Sequence, residues 1–171
     1  MNVDLSKLSN NDLHLLALPY IKDYGITEYD LNRPWGGFYY INKDDTGKFI
    51  REFFDSESMS LKMDEVTDLS YSPKLLLINP NQRLSWQYHY KRKEIWSVVK
   101  GPVGIMLSPN NDEHDMIIAN KGDIIHVDKE ERHRIIGLDD HAIIAELWWH
   151  INLLDPSDEA DIVRIQDDYK R

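Results

Sequence analysis

Cysteine is absent from all 171 residues. That removes disulfides, thiolate metal sites and cysteine nucleophiles together, so any metal must be held by imidazole, carboxylate or amide groups. Long apolar runs are absent as well. Nothing approaches the roughly 18 consecutive apolar residues of a membrane-spanning helix. The N-terminal stretch interleaves Asp4, Lys7, Asp12 and Lys22 with its leucines, so it holds no signal-peptide core. A soluble, cytoplasmic protein is the expectation. Basic residues are scarce, with 20 Lys and Arg against 30 Asp and Glu and a net charge of −10. A phosphate backbone rewards a basic face, so neither nucleic acid nor membrane is an expected partner. A small anionic substrate stays compatible, because a few convergent cations set the local field. With 42% apolar residues and only 8 Gly and 7 Pro, the chain has the composition of one folded domain.

The order of hydrophobic and turn residues gives the organisation. Leu5, Leu8, Leu13, Leu15, Leu16 and Leu18 form a loose helical face over 3–24, and Asn10 or Asn11 is placed to cap a short helix beginning at Asp12. Residues 25–36 read as a loop through Arg33-Pro34-Trp35-Gly36, followed by short strands at 37–41 and 48–54 and an acidic, Ser-rich stretch at 55–72. After Pro73 come eight strand-like runs: Lys74–Asn79, Arg83–Tyr90, Glu94–Lys100, Val103–Leu107, His114–Ala119, Asp123–Val127, Arg132–Ile136 and Ala142–His150. Turn residues separate them at the spacing of an all-β sandwich or barrel. The expected arrangement is a helical N-terminal extension over 1–32 and a β-barrel domain over 33–171.

One constellation carries chemistry: Gln87-x-His89-x4-Glu94-x6-Gly101, followed by Gly122-x10-His133. Strand parity puts Ser85, Gln87 and His89 on one face of their run and Leu84, Trp86 and Tyr88 on the other. Glu94 shares a face with Trp96 and Val98, and His133 opens the next-to-last strand of the set. An amide, two imidazoles and a carboxylate form an N/O donor set for a divalent transition metal.

These segments resemble the two signature motifs of the cupins. Asn81 stands where the first motif has Gly and Gln87 where it has its first His, while His89, Glu94 and Gly101 match. In the second motif Gly122 and His133 match, and Asp128, Glu130 and Gly137 replace Pro, Gly and Asn. The run Leu84-Ser85-Trp86-Gln87-Tyr88-His89 with Arg92-Lys93-Glu94-Ile95-Trp96-Ser97-Val98-Val99-Lys100-Gly101 is similar to the type II mannose-6-phosphate isomerase cupin. That cupin is usually the C-terminal domain of a bifunctional mannose-1-phosphate guanylyltransferase. Arg33-Pro34-Trp35-Gly36 matches that family's opening motif, and Asp161-Ile162-Val163-Arg164 with Asp167, Tyr169 and Arg171 its closing one. No Gly-rich phosphate loop of the guanylyltransferase is present, so the sequence is read as a stand-alone cupin and nucleotide-sugar synthesis is not implied.

The resemblance implies a jelly-roll barrel and a divalent metal, zinc by preference, on Gln87, His89, Glu94 and His133. The activity implied is interconversion of mannose 6-phosphate and fructose 6-phosphate. Aldose–ketose isomerisation needs a group that moves a proton between two carbons, an electrophile for the developing charge and cations for the phosphate. Glu146 matches the family's carboxylate and is the expected proton-transfer group, with a buried structural acid as its alternative. Arg164 is the expected phosphate or catalytic arginine, with an ion pair to a neighbouring Asp as its alternative. Lys74, Arg92 and Arg33 match the family's basic positions and are further phosphate candidates. Two other functions fit a cupin: an iron-dependent dioxygenase and a non-catalytic sugar-binding or regulatory protein. Trp86, Tyr88 and Trp149, read as outward-facing, would need covering, so a homodimer is expected.

Overall fold

The computed structural model describes residues 3, 5, 8, 11–54 and 70–170. Two helices, α1 (Asp12–Ile21) and α2 (Thr46–Phe53), accompany eleven strands. These are β1 (Ile26–Arg33), β2 (Gly36–Ile41), β3 (Tyr71–Ile78), β4 (Trp86–His89), β5 (Arg92–Lys100), β6 (Val103–Ser108), β7 (Ile117–Ala119), β8 (Ile124–Val127), β9 (Arg132–Gly137), β10 (Ala142–His150) and β11 (Ile162–Gln166). All pairings are antiparallel. One sheet runs β1-β2-β3-β10-β5-β8 and the other β11-β4-β9-β6-β7. Each of the eight expected strand runs contains a strand, and the closing motif supplies another.

Two cores divide the side chains by strand parity. Between the sheets, Leu76, Ile78, Trp96, Val98 and Ile144 meet Val103, Ile105 and Ile135. On the outer face of the six-stranded sheet, Leu75, Leu77, Ile95, Ile143, Ala145 and Leu147 are covered by Ala17 and Ile21 of α1 and Phe49 and Ile50 of α2. Central strands buried on both faces become continuous apolar runs, which is why β3 and β10 show no alternation. Burying each large helical anchor contributes about 1.5–3 kcal/mol. The helices are thus a third layer that keeps the sheet flanking the site dry.

Three local readings of the sequence are corrected. Residues 26–33 form an edge strand rather than a loop; register shifts between Ile26 and Glu28 and between Asp30 and Arg33 break the alternation that marks a strand. Residues 48–54 are mostly helix, and Phe49, Ile50, Phe53 and Phe54 have the i, i+1, i+4, i+5 spacing of a helical face. Of the helical reading of 3–24, α1 covers Asp12–Ile21, with N-cap Asn11 accepting the His14 amide at 3.0 Å, while most of 3–10 lies outside the described residues. The acidic stretch at 55–72 lies outside the described residues except for its last three.

Gly36 gives the opening Arg-Pro-Trp-Gly motif a structural reason. It has φ +139°, and a Cβ there would meet the Leu77 carbonyl oxygen at 1.9 Å. A side chain is excluded on both counts, so β2 can dock on β3 only with glycine at this position.

Trp86 does not face solvent. It is 1% exposed, and its indole N–H donates to the Asn111 carbonyl at 3.0 Å. The loop after β6 folds over it, held by Arg132 to Asn111 at 2.9 Å and by Arg134 to Glu113 at 2.6 Å. The chain covers this face itself, which removes Trp86 from the apolar surface expected to need a second subunit. Among the described residues no helix is long and apolar enough to cross a membrane.

Candidate metal centre and its surroundings

His89 ends β4, Glu94 lies near the start of β5 and His133 near the start of β9, so all three sit at one end of the space between the sheets. All are buried, and one ligand atom from each lies within 4.8 Å of the others. The Nε2 atoms of His89 and His133 are 3.1 Å apart. Glu94 places Oε1 3.1 Å from His89 Nε2 and Oε2 3.6 Å from His133 Nε2.

Partner chemistry fixes one of the two imidazoles. His133 Nδ1 is 2.9 Å from the Glu131 carbonyl oxygen, which can only accept, so Nδ1 carries the hydrogen and Nε2 a lone pair. His89 Nε2 lies 3.0 Å from Arg92 Nη2, which can only donate, and 3.1 Å from Glu94 Oε1, which can only accept, so both tautomers find a partner there. Burial, with His89 and Arg92 nearby, holds His133 down to about 4, against the opposing pull of Glu94, so it stays neutral near pH 7. Burial opposes ionisation of Glu94, but His89, Arg92 and His133 outweigh it and keep the carboxyl well below its usual range. The His133 lone pair, the anionic carboxylate and the His89 imidazole form an N/O set that could hold a divalent cation. The carbonyl behind His133 is the outer partner that orients a metal-binding imidazole.

Gln87 is the cross-strand partner of His133, and its Oε1 accepts from Ser85 Oγ at 2.6 Å. Gln87 is thus next to His133 across the strand pair, with its amide oxygen engaged by Ser85. Arg92 is 1% exposed and its fork is fully engaged: Nε donates to Glu94 at 2.8 Å, Nη1 to Ser157 Oγ at 2.8 Å, and the guanidinium lies 3.7 Å from the Trp148 ring centre. It sits where it positions the carboxylate rather than at an open mouth.

Glu146 is buried on β10, opposite Trp96 of β5 and Lys74 of β3. The Trp96 indole N–H is 3.1 Å from both Glu94 Oε2 and Glu146 Oε1, tying the two carboxyl groups together. Burial, then the charge of Glu94, pushes Glu146 up to about 8, against the opposing pull of Lys74 and Arg92. Lys74 Nζ lies 4.0 Å from Glu146 and 2.9 Å from Glu159, in a box of Phe38, Tyr40 and Trp148 rings at 4.2 to 4.9 Å. Arg33 pairs with Asp30 at 2.8 Å and lies over Phe38. Arg164, on β11 opposite Gln87, joins Arg33, Lys74, Gln87 and Glu146 in lining one pocket of about 60 Å³.

The sequence marks Trp96 as an inward-facing aromatic able to stack on a sugar ring, but not its indole bridge between two carboxyl groups, and it gives no sign of Tyr40 or Glu159. Glu159 was hidden in the acidic run Asp158-Glu159-Ala160-Asp161, which reads as solvated surface. The Asp161 of the closing motif is structural: it accepts the Tyr90 and Lys91 amides at 3.1 and 3.0 Å and so fixes the β4–β5 turn between two ligand positions.

The altered turns keep the backbone of the signature motifs. Asn81 has φ +57° and Glu130 φ +62°, the left-handed region that glycine serves at these two positions. Asn tolerates it, while Glu carries a cost of about 1 kcal/mol. Glu130→Gly is therefore expected to raise stability by about 0.5–1 kcal/mol in urea unfolding without changing bound metal; a loss of stability would refute the strain argument.

The family described as mannose-6-phosphate isomerase C-terminal matches residues 58–167, well over half of the chain. The chain belongs to this family. The match takes in all four proposed ligand positions and Glu146, while the Arg33–Gly36 motif lies before it. No curated protein matches the chain. Among solved structures it is similar to the capsular polysaccharide assembling protein CapF from Staphylococcus aureus, at 15% identity and TM-score 0.57, over 84% of this chain and 33% of that one. A CapF structure with the inhibitor 3-isopropenyl-tropolone gives 15% and 0.58, over 84% and 35%. Vicilin from tomato, Solanum lycopersicum, gives 18% and 0.51, over 75% and 32%. The chain spans about a third of each of these proteins, and the likeness establishes the cupin fold alone.

Proposed function

We propose that this cupin is a metal-dependent sugar-phosphate isomerase that interconverts mannose 6-phosphate and fructose 6-phosphate. The carrying observation is the link from the His89–Glu94–His133 cluster through the Trp96 indole to the buried carboxyl of Glu146. A divalent ion, zinc in this reading, held by these three residues and the Gln87 amide, supplies a Lewis acid for the carbonyl and adjacent hydroxyl oxygens. Glu146 moves the proton between C1 and C2: its carboxylate removes it from one carbon and its carboxyl returns it to the other. A proton-transfer group titrating near 8 is matched to that task, because neither protonation state dominates overwhelmingly at working pH. The indole N–H fixes one carboxyl oxygen and leaves the other toward Lys74 and the pocket. With Arg92 committed to Glu94, the phosphate falls to Lys74, Arg33 and Arg164.

A non-catalytic, regulatory cupin is the second reading, and one observation weighs against turnover at the site as it stands. The inner pocket encloses about 60 Å³, well below the roughly 300 Å³ at the lower end of small-molecule sites. The deciding assay follows conversion of mannose 6-phosphate by chelator-stripped protein, before and after adding zinc, cobalt or manganese. Metal-restored turnover is expected; folded, metal-loaded protein with no turnover would overturn the isomerase reading.

A further inference from the structure

The inner pocket is narrow because the chain fills part of it with its own carboxylate. Glu159 Oε1 accepts from Lys74 Nζ at 2.9 Å and from Tyr40 OH at 2.6 Å. Lys74 is 6% exposed along its side chain, whereas Glu159 is 53% exposed. A surface residue thus reaches inward to neutralise a buried ammonium. The turn that carries it does not depend on that reach. Ser157 receives Arg92 and donates to Asp161 at 2.8 Å, its amide donates to His150 at 3.2 Å, and Asp161 holds two further amides. The backbone is pinned at both ends of the turn, and the Glu159 side chain alone can rotate away.

Glu159 and Trp148 line both the inner pocket and an outer hollow of about 460 Å³. Rotation of Glu159 would open one into the other, giving room of the size a small-molecule site needs.

We infer that Lys74 and Tyr40 form an anion subsite closed by the chain's own Glu159, and that a phosphate monoester enters by displacing it. The phosphate class rests on the isomerase reading; the displacement rests on the geometry. Glu159 is then a built-in competitor that sets the affinity threshold for an anionic ligand. Neutral sugars offer Lys74 only uncharged oxygen acceptors in exchange for the carboxylate, so the same contact selects against them.

The test measures inorganic phosphate binding by calorimetry to metal-loaded wild type, Glu159→Gln, Lys74→Met and the double variant. The amide keeps the size and the Tyr40 contact but removes the charge, and Met fits the aromatic box. Glu159→Gln is expected to bind phosphate about fivefold to tenfold more tightly, equivalent to about 1–1.4 kcal/mol. The gain should vanish in the double variant, which rules out phosphate bound at the metal as its source. Glu159→Ala provides a second removal of the charge should the Gln variant misfold. Unchanged or weaker phosphate binding, or a gain that survives Lys74→Met, overturns the inference. Tighter phosphate binding without turnover of mannose 6-phosphate in any variant would leave the subsite standing and the isomerase reading refuted; turnover with unchanged phosphate affinity would do the reverse.

Discussion

Glu94→Gln is expected to lower divalent-metal affinity at least ~100-fold and to destabilise the fold by about 3–5 kcal/mol. The two losses have separate causes. Loss of metal follows from removing the one carboxylate of the His89–Glu94–His133 group; changing even a supporting partner of a ligand typically costs 10–100-fold. The stability loss follows from Arg92. Its guanidinium is 1% exposed and pairs with Glu94 at 2.8 Å, so a neutral amide leaves a buried cation with the more distant Asp161, at 4.0 Å, as its ion-pair partner. The exposure figures are 1% and 2%, so solvent screening offers little relief. Combining Glu94→Gln with Arg92→Met separates the effects: stability should recover substantially while metal binding stays lost. Metal content after dialysis against buffered zinc and urea unfolding read the two quantities. If Glu94→Gln and His133→Ala both retain wild-type metal, the ligand assignment is wrong.

Arg92 also shows where sequence reasoning reached its limit. Its position beside the ligand motif made it a phosphate candidate, since spacing reports which residues are near a site but not which way a long side chain turns. In the fold, Ser157 arrives from 65 positions away and the Trp148 ring covers the guanidinium. Neither contact has a local signature. The candidate cluster could be singled out in the sequence because its residues sit on strands, where parity fixes direction and turn residues fix length; His89, Glu94 and His133 are all buried and close together.

The errors fall where a strand or helix departs from its simple period. The bulges of β1 erased the alternation that would have identified it. In α2, the aromatic residues Phe49, Phe53 and Phe54 suggested a strand by type while their spacing specified a helix. Trp86 looked outward because parity says only which face of a sheet a residue occupies. Whether the chain's own loop covers that face depends on long-range contacts such as Arg134 to Glu113. Glu159 escaped because an acidic run is ordinarily solvated, and only the buried Lys74 opposite it gives that carboxylate a role.

Glu146→Gln is expected to reduce kcat by 10²–10⁴-fold while leaving metal content unchanged and the fold at least as stable. The substitution keeps the shape and an oxygen for the Trp96 indole, and removes only the capacity to take and return a proton. Stability should not fall, because a carboxyl titrating near 8 is mostly protonated at pH 7 and a buried amide replaces a neutral group. The pH profile gives the independent signature. The ionised form removes the substrate proton, so kcat/KM should rise with pH through an apparent value at or below about 8 and then level off. Glu94 is part of what raises Glu146, so a cation neutralising Glu94 should move that limb to lower pH. The metal-free carboxyl, followed by infrared difference titration, should therefore ionise at higher pH than the metal-loaded one. A profile that falls across this range, or Glu146→Gln protein that keeps its turnover, would remove Glu146 from the proton path. The bridge through Trp96 would then be a structural link between two buried carboxyl groups, and the proton path would have to be sought at Lys74 or Glu159, which also line the pocket.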